Sequence, residues 1–256
     1  MRADPFEPAA LVCDDFLGGQ VRLWQPRDGY RAGVDPVLLA ASIPARPGQS
    51  VLELGCGAGP ALCCLGARVP GLALAGLELQ AGYADLARRN LRENGHDAVI
   101  WDGDLADPPA QMRQRSFDHV MANPPYFEAE RRRGADDSGR EMALAGPTPM
   151  EAWVQTAARR LAPRGTASFI QRAERLPELL AAMRQHLGSI ELLPLLPREG
   201  RAPRLVLLRG RKGGRADFRF HSGLVLHRGT HHEGDWDSYT ETVAGILRHG
   251  TALTFG

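Results

Sequence analysis

The stretch Ser50-Val51-Leu52-Glu53-Leu54-Gly55-Cys56-Gly57-Ala58-Gly59 constrains this chain more than any other. A short apolar run that stops in three glycines at alternate positions reads as a buried strand entering a tight turn. Pro60 then suits the first position of a helix, predicted over 60–68. Strand, glycine turn and helix open a parallel α/β sheet, whose ligands sit beyond the carboxyl ends of the strands. The spacing is G-x-G-x-G, because position 60 is proline, whereas a dinucleotide site wants its third glycine one residue later. The tighter turn suits a ligand whose small aliphatic part passes close to the backbone.

The alternation continues downstream. Strands are predicted at 73–79, 98–101, 117–122 and 166–170, and helices at 81–94, 150–161 and 174–187. That order predicts an α/β, Rossmann-like fold: a mostly parallel sheet with helices on both faces. After Leu187 the pattern changes. Ile190 to Leu196 and Leu205 to Leu208 follow each other without a helix, which predicts an antiparallel pair at one edge. A strand at 224–226 and a helix at 238–247 finish the chain. Near the start, Val34 to Ala41 predicts a short helix with Asp35 at its cap and Pro36 at its first position. The expected organisation is an N-terminal lead-in over 1–45, a core over 46–212, and a C-terminal strand and helix over 213–256 completing the same domain.

At 256 residues the chain is long enough for one large domain with a buried core. No apolar run approaches the roughly 20 residues that cross a bilayer, and Asp4-Pro5 stands where a secretory signal needs apolar residues. A cytoplasmic protein without membrane contact is expected. The four cysteines form no CxxC pair, and His231-His232-Glu233-Gly234-Asp235 reads as a surface loop, so neither a disulfide framework nor a metal site is expected.

Two acids follow strands as the glycine turn does. Glu78 closes the second strand, where a carboxylate can accept both hydroxyls of a ribose; Asp104 follows the third, where it can accept from an adenine amino group. Adenine, ribose and an uncharged tail together describe S-adenosylmethionine. The fourth strand ends in Asn123-Pro124-Pro125-Tyr126-Phe127. Two prolines cannot continue a sheet, and their rigidity fixes where the Asn123 side-chain oxygen and the Pro124 carbonyl point. Two fixed acceptors can hold both hydrogens of an exocyclic amine and aim its nitrogen at a sulfonium methyl, while Tyr126 offers a ring for a planar base or amide. No strong general base is needed, because the proton becomes acidic only as the nitrogen is alkylated; positioning and desolvation carry the catalysis.

These motifs resemble a class I S-adenosylmethionine-dependent methyltransferase of the amino-methylating type. The segment Arg31-Ala32-Gly33-Val34-Asp35-Pro36-Val37-Leu38-Leu39, with Arg201 to Leu208, Leu224 to His227 and Tyr239-Thr240-Glu241, resembles the bacterial tRNA (valine) adenine-N6 methyltransferases. The resemblance runs from about Gly19 to Leu247 and implies a seven-stranded sheet with one antiparallel strand. It implies cofactor contacts at Gly33, Val34, Asp35, Glu53, Gly55, Cys56, Gly57, Gly59, Glu78, Leu79, Asp104, Leu105 and Asn123. Asn123, Pro124, Pro125 and Tyr126 would hold the target amine. Pro36 and Cys56 depart from the family pattern without touching the chemistry, and the loop 128–147, which faces the substrate in such enzymes, gives no close match, so the resemblance constrains substrate identity least.

The net charge of +1 implies that a polyanion needs a local basic patch. Between 198 and 219 stand Arg198, Arg201, Arg204, Arg209, Arg211, Lys212, Arg215 and Arg219 against Glu199 and Asp217 only; Arg131-Arg132-Arg133 forms a second cluster. Phosphate contacts there, with extrusion of one base towards Tyr126, would suit structured RNA such as tRNA. No obligate protein partner is implied. The rival readings are a glutamine-amide methyltransferase acting on a release factor, a non-catalytic RNA- or cofactor-binding module, and, more distantly, an NAD-dependent oxidoreductase.

Overall fold

The structure, a computed structural model, describes residues 6–28, 31–126, 148–230 and 238–255. The central strands are β3 (Ser50–Leu54), β4 (Ala73–Glu78), β5 (Ala98–Asp102), β6 (Phe117–Ala122), β7 (Leu161–Arg172), β8 (Gly188–Leu196) and β9 (Leu205–Arg211). Their spatial order is β8-β9-β7-β6-β3-β4-β5, and all run parallel except β9, which is antiparallel to both its neighbours. Two further strands of two residues each, β10 (Arg219–Phe220) and β11 (Leu224–Val225), pair in parallel with β8. The expected seven-stranded sheet is therefore a nine-stranded one: seven long strands plus two short additions. β11 falls at the strand expected over 224–226, whereas β10, at Arg219–Phe220, lacks the apolar length from which a sequence pattern is read. β8 and β9 form the expected antiparallel pair at one edge of the long strands, with β9 joining β8 to β7.

Buried positions alternate across the sheet as the two-residue strand period requires. Val51 and Leu74 face one apolar core, built with α1 (Asp35–Ser42), α2 (Pro60–Arg68) and α3 (Ala81–Glu93). Leu52, Leu54 and Leu77 face the other, built with α4 (Ala110–Arg113), α5 (Met150–Arg160) and α6 (Leu176–His186). The last helix, α7 (Glu241–His249), places Ile246 in the first core.

The N-terminal residues form an antiparallel hairpin of β1 (Leu11–Phe16) and β2 (Val21–Pro26), separate from the main sheet. Asp14 and Asp15 interrupt the apolar alternation of β1, so no strand is legible there from sequence. The outer edge of β2 is closed by two asparagines one turn apart, Asn90 on α3 and Asn94 at its C-terminal cap. Asn94 exchanges hydrogen bonds with the Arg22 amide and carbonyl, and Asn90 does the same with Trp24. Side-chain amides thus supply the donor and acceptor that a neighbouring strand would supply.

Candidate active site

The chain runs β3, β4, β5 outward in one direction, then returns to place β6 on the other side of β3. This reversal opens a crevice at the carboxyl ends of β3 and β6, the place where open α/β sheets bind ligands. Leu54 pairs with Ala122, so the glycine turn and the proline corner leave adjacent strands at the same level.

Gly55, Gly57 and Gly59 all have positive φ, at 65°, 54° and 82°. The turn hangs from one acceptor: the amides of Gly55 and Cys56 both donate to the Leu77 carbonyl, at 2.8 and 3.1 Å. A Cβ on Gly55 would stand 2.7 Å from the Trp153 ring, whereas one on Gly57 would meet nothing within 4 Å. The backbone at Gly57 therefore borders open space that a ligand can approach. The Cys56 side chain turns the other way. It is buried in the core against Gly76, and burial, with the nearby Glu53 and Glu78 charges, pushes its thiol well up. Only its backbone belongs to the turn.

Glu78 is almost fully buried and joins the turn to β4: one oxygen accepts from the Gly57 amide at 2.9 Å, the other from Gln80 at 3.0 Å. Its carboxyl is shifted upward by burial, partly offset by those bonds. The Leu79 amide also donates to this carboxylate, which keeps acceptor capacity for a hydroxyl. Glu53 lies on the same face of the sheet, buried, with Oε2 lacking any partner; burial and the Glu78 charge raise its pKa well above the carboxylate range. Leu79, directly after Glu78, is 55% exposed, an apolar surface beside the acid. Asp104 is exposed and one of its oxygens accepts from the Ala106 amide at 2.8 Å. The Leu105 side chain points into the core and its carbonyl accepts from Thr156.

At the proline corner, Asn123 Oδ1 is buried without a partner. The Pro124 carbonyl accepts from Gln171 Nε2 at 3.2 Å, so one of its two lone pairs is already committed. Gln171 is fully buried at the end of β7, and its own oxygen accepts from the Arg172 amide at 2.8 Å. It fixes the corner against β7. Tyr126 donates its hydroxyl to Asp35 at 2.7 Å, and the Arg172 guanidinium lies 5.2 Å from the centre of its ring. The Pro125 carbonyl faces Arg175 at 3.5 Å.

The Tyr126–Asp35 bond brings the segment Gly33-Val34-Asp35 to the crevice. It also corrects one expectation: Asp35 is the first residue of α1, Val34 is the cap, and the Asp35 side chain makes no capping bond. A Cβ on Gly33 would meet nothing within 4 Å. Arg131, Arg132, Arg133 and the loop His231 to Asp235 lie outside the described residues. Among the described residues no group of three or more His, Cys, Asp or Glu side chains could hold a metal ion, and no helix is long and apolar enough to cross a membrane.

The basic stretch 198–219 is not one patch. Arg198, Arg201 and Arg204 sit in the β8–β9 turn at the carboxyl end of the sheet, where the Ala173 amide donates to the Arg204 carbonyl. Arg211 and Lys212 lie at the opposite end of β9 and bond the carbonyls of Arg164 and Leu161. Arg209 is mostly buried and bonds the Ser42 carbonyl.

Comparison with known proteins agrees with this geometry. The methyltransferase small domain matches residues 32–194. A Porphyromonas gingivalis tRNA1(Val) (adenine(37)-N6)-methyltransferase is 30% identical over 236 residues, covering 86% of this chain and 90% of its own. A predicted O-methyltransferase from Agrobacterium tumefaciens, 24% identical, superposes with a TM-score of 0.69 over 86% of this chain and 98% of its own. The T. thermophilus 16S rRNA N2 G1207 methyltransferase, solved with AdoMet and guanosine, has a TM-score of 0.54 at 19% identity, covering 79% of this chain and 50% of its own. The matched span takes in the glycine turn, both strand-end acids and the proline corner, and the chain belongs to the methyltransferase small domain family.

Proposed function

We propose that this chain methylates the exocyclic N6 of an adenine in RNA, with tRNA as the substrate class and S-adenosylmethionine as the methyl donor. The observation that carries the reading is Asn123 Oδ1: a buried acceptor with no donor, at a proline-stiffened corner beside the glycine turn. Leaving such an atom unpaired costs about 1–3 kcal/mol, so the site is built to receive an N–H.

The residues around the crevice fit S-adenosylmethionine. The open face at Gly57 admits a close backbone approach, Glu78 keeps lone pairs for ribose hydroxyls, exposed Leu79 offers an apolar floor, and Glu53 carries an unpaired buried oxygen. Bound there, the group supplies an electrophilic methyl on a cationic sulfur. Asn123 Oδ1 and the second lone pair of the Pro124 carbonyl would take the two hydrogens of the amine, orienting the nitrogen. Gln171 holds the Pro124 carbonyl and Asp35 the Tyr126 ring in place before substrate arrives, so little reorganisation remains for the reaction. The amine proton leaves to water once the nitrogen is alkylated. The relative from Porphyromonas gingivalis, named for adenine N6 in a tRNA, supports the choice of substrate.

The test is to incubate the protein with methyl-labelled S-adenosylmethionine and either bulk tRNA or a translation release factor. Label is expected in tRNA as N6-methyladenosine, and Asn123→Ala should keep cofactor binding while losing about 100-fold in kcat. Label on the release factor alone would overturn the reading.

A further inference from the structure

The fold divides the basic residues into two groups that a single strand holds apart. β9 spans seven residues, which at roughly 3.4 Å each separates its ends by about 20 Å. The carboxyl-end group, Arg201 and Arg204 in the β8–β9 turn, is exposed. The Ala173–Arg204 main-chain bond ties that turn to the end of β7, which carries exposed Arg172. Arg172 in turn lies over the Tyr126 ring at the proline corner. Exposed cations therefore stand both on the hairpin turn and at the mouth of the base site, on the same rim of the sheet. Net charge does not select this rim, since Glu174 and Glu199 are exposed there and Arg175 is paired with Glu178. Position does. The far-end cations Arg211 and Lys212 are spent on main-chain carbonyls, which satisfies the bend at the start of β7.

Arg172 also occupies a face of the Tyr126 ring on which a base could stack. A cation over an aromatic face at an exposed site is a weak contact, which an incoming base can displace. Once displaced, the guanidinium is free within reach of the phosphates flanking that base.

Resting on the RNA reading above, we propose that the RNA backbone beside the target adenine is held by Arg172, Arg201 and Arg204 along the carboxyl rim. At the far end of β9, Arg211 and Lys212 serve the fold. The ligand chemistry is phosphodiester, contacted by planar, bidentate donors.

The experiment is tRNA binding by fluorescence anisotropy at 50–200 mM KCl. It compares wild type, Arg172→Gln, the pair Arg201→Gln/Arg204→Gln, and the far-end pair Arg215→Gln/Arg219→Gln. Both far-end arginines are exposed and follow the far end of β9, with Arg219 in strand register with Glu191 near the start of β8. Melting temperature and S-adenosylmethionine binding serve as controls of folding. Each phosphate contact adds about 0.7–0.9 to the slope of log K against log salt. The rim pair should flatten that slope by about 1.4–1.8, equivalent to roughly a 25- to 60-fold loss of affinity at 0.1 M salt. Arg172→Gln should flatten it by about half as much, and the far-end pair should stay within about twofold of wild type. A wild-type slope in the rim pair, or an equal loss in the far-end pair, overturns the placement while leaving the RNA reading intact. Wild-type protein that shows no salt-dependent tRNA binding overturns both.

Discussion

Replacing Asn90 by alanine should destabilise the protein far more than an ordinary helix substitution. The side chain is fully buried and makes three hydrogen bonds: it accepts from the Trp24 amide at 2.9 Å and donates to the carbonyls of Trp24 at 3.0 Å and Ala58 at 2.9 Å. Each such bond contributes about 1 kcal/mol net, and a group stranded without solvent costs about 1–3 kcal/mol. Three bonds lost, with the Ala58 carbonyl left buried, give about 3–5 kcal/mol. For a chain of this size 1 kcal/mol moves the melting temperature by about 2–4 °C, so calorimetry should record a drop of about 6–20 °C. The decisive comparison is Asn90→Asp. Aspartate keeps the acceptor for Trp24 but turns an oxygen towards two carbonyls, and should be at least as damaging as alanine. An aspartate variant more stable than the alanine variant, or an alanine variant within about 1 kcal/mol of wild type, would refute the account of α3 as a surrogate strand for β2.

Two other outcomes follow from the same structure. Gln171→Leu removes the donor to Pro124 and the acceptor for Arg172; steady-state kinetics should show kcat down about tenfold with KM for tRNA little changed, and loss of KM instead would assign Gln171 to binding. His119 is buried between Thr166 and Gln49, and burial lowers its pKa to about 4. The folded state therefore holds it neutral while the unfolded chain protonates near pH 6.5. Stability is fully present above that value and is lost as pH falls towards 4, by up to about 3 kcal/mol. Denaturant titrations should show a shallower acid loss in His119→Gln, and an identical profile would remove the histidine from the argument.

Much of this was legible in the residues themselves. The strand at 117–122 and the helix at 60–68 coincide with β6 and α2, because a buried parallel strand is almost wholly apolar and prolines or glycines mark where each element stops. What sequence cannot supply is which end of the sheet a residue reaches. Arg204 and Arg211 are seven positions apart in one basic run, yet β9 sends them to opposite ends of the molecule. The Asp35–Tyr126 bond joins residues 91 apart, and no local pattern announces it. Gln171 did leave a trace: an amide closing an otherwise buried strand at the carboxyl edge, where polar groups seldom stay unless they have work there. Asn90 and Asn94, one turn apart in a helix, were a similar trace.

The pairing of Leu54 with Ala122 has a consequence for how such a protein changes over time. Slipping one strand against the other by a single residue would carry Asn123 about 3.3 Å along the sheet and turn its side chain to the opposite face. Alignment between donor and acceptor is thus stored in the ladder of main-chain bonds, the stiffest part of the molecule. Surface loops can lengthen, shorten or exchange partners around that jig, altering which molecule is modified while the transfer distance stays the same.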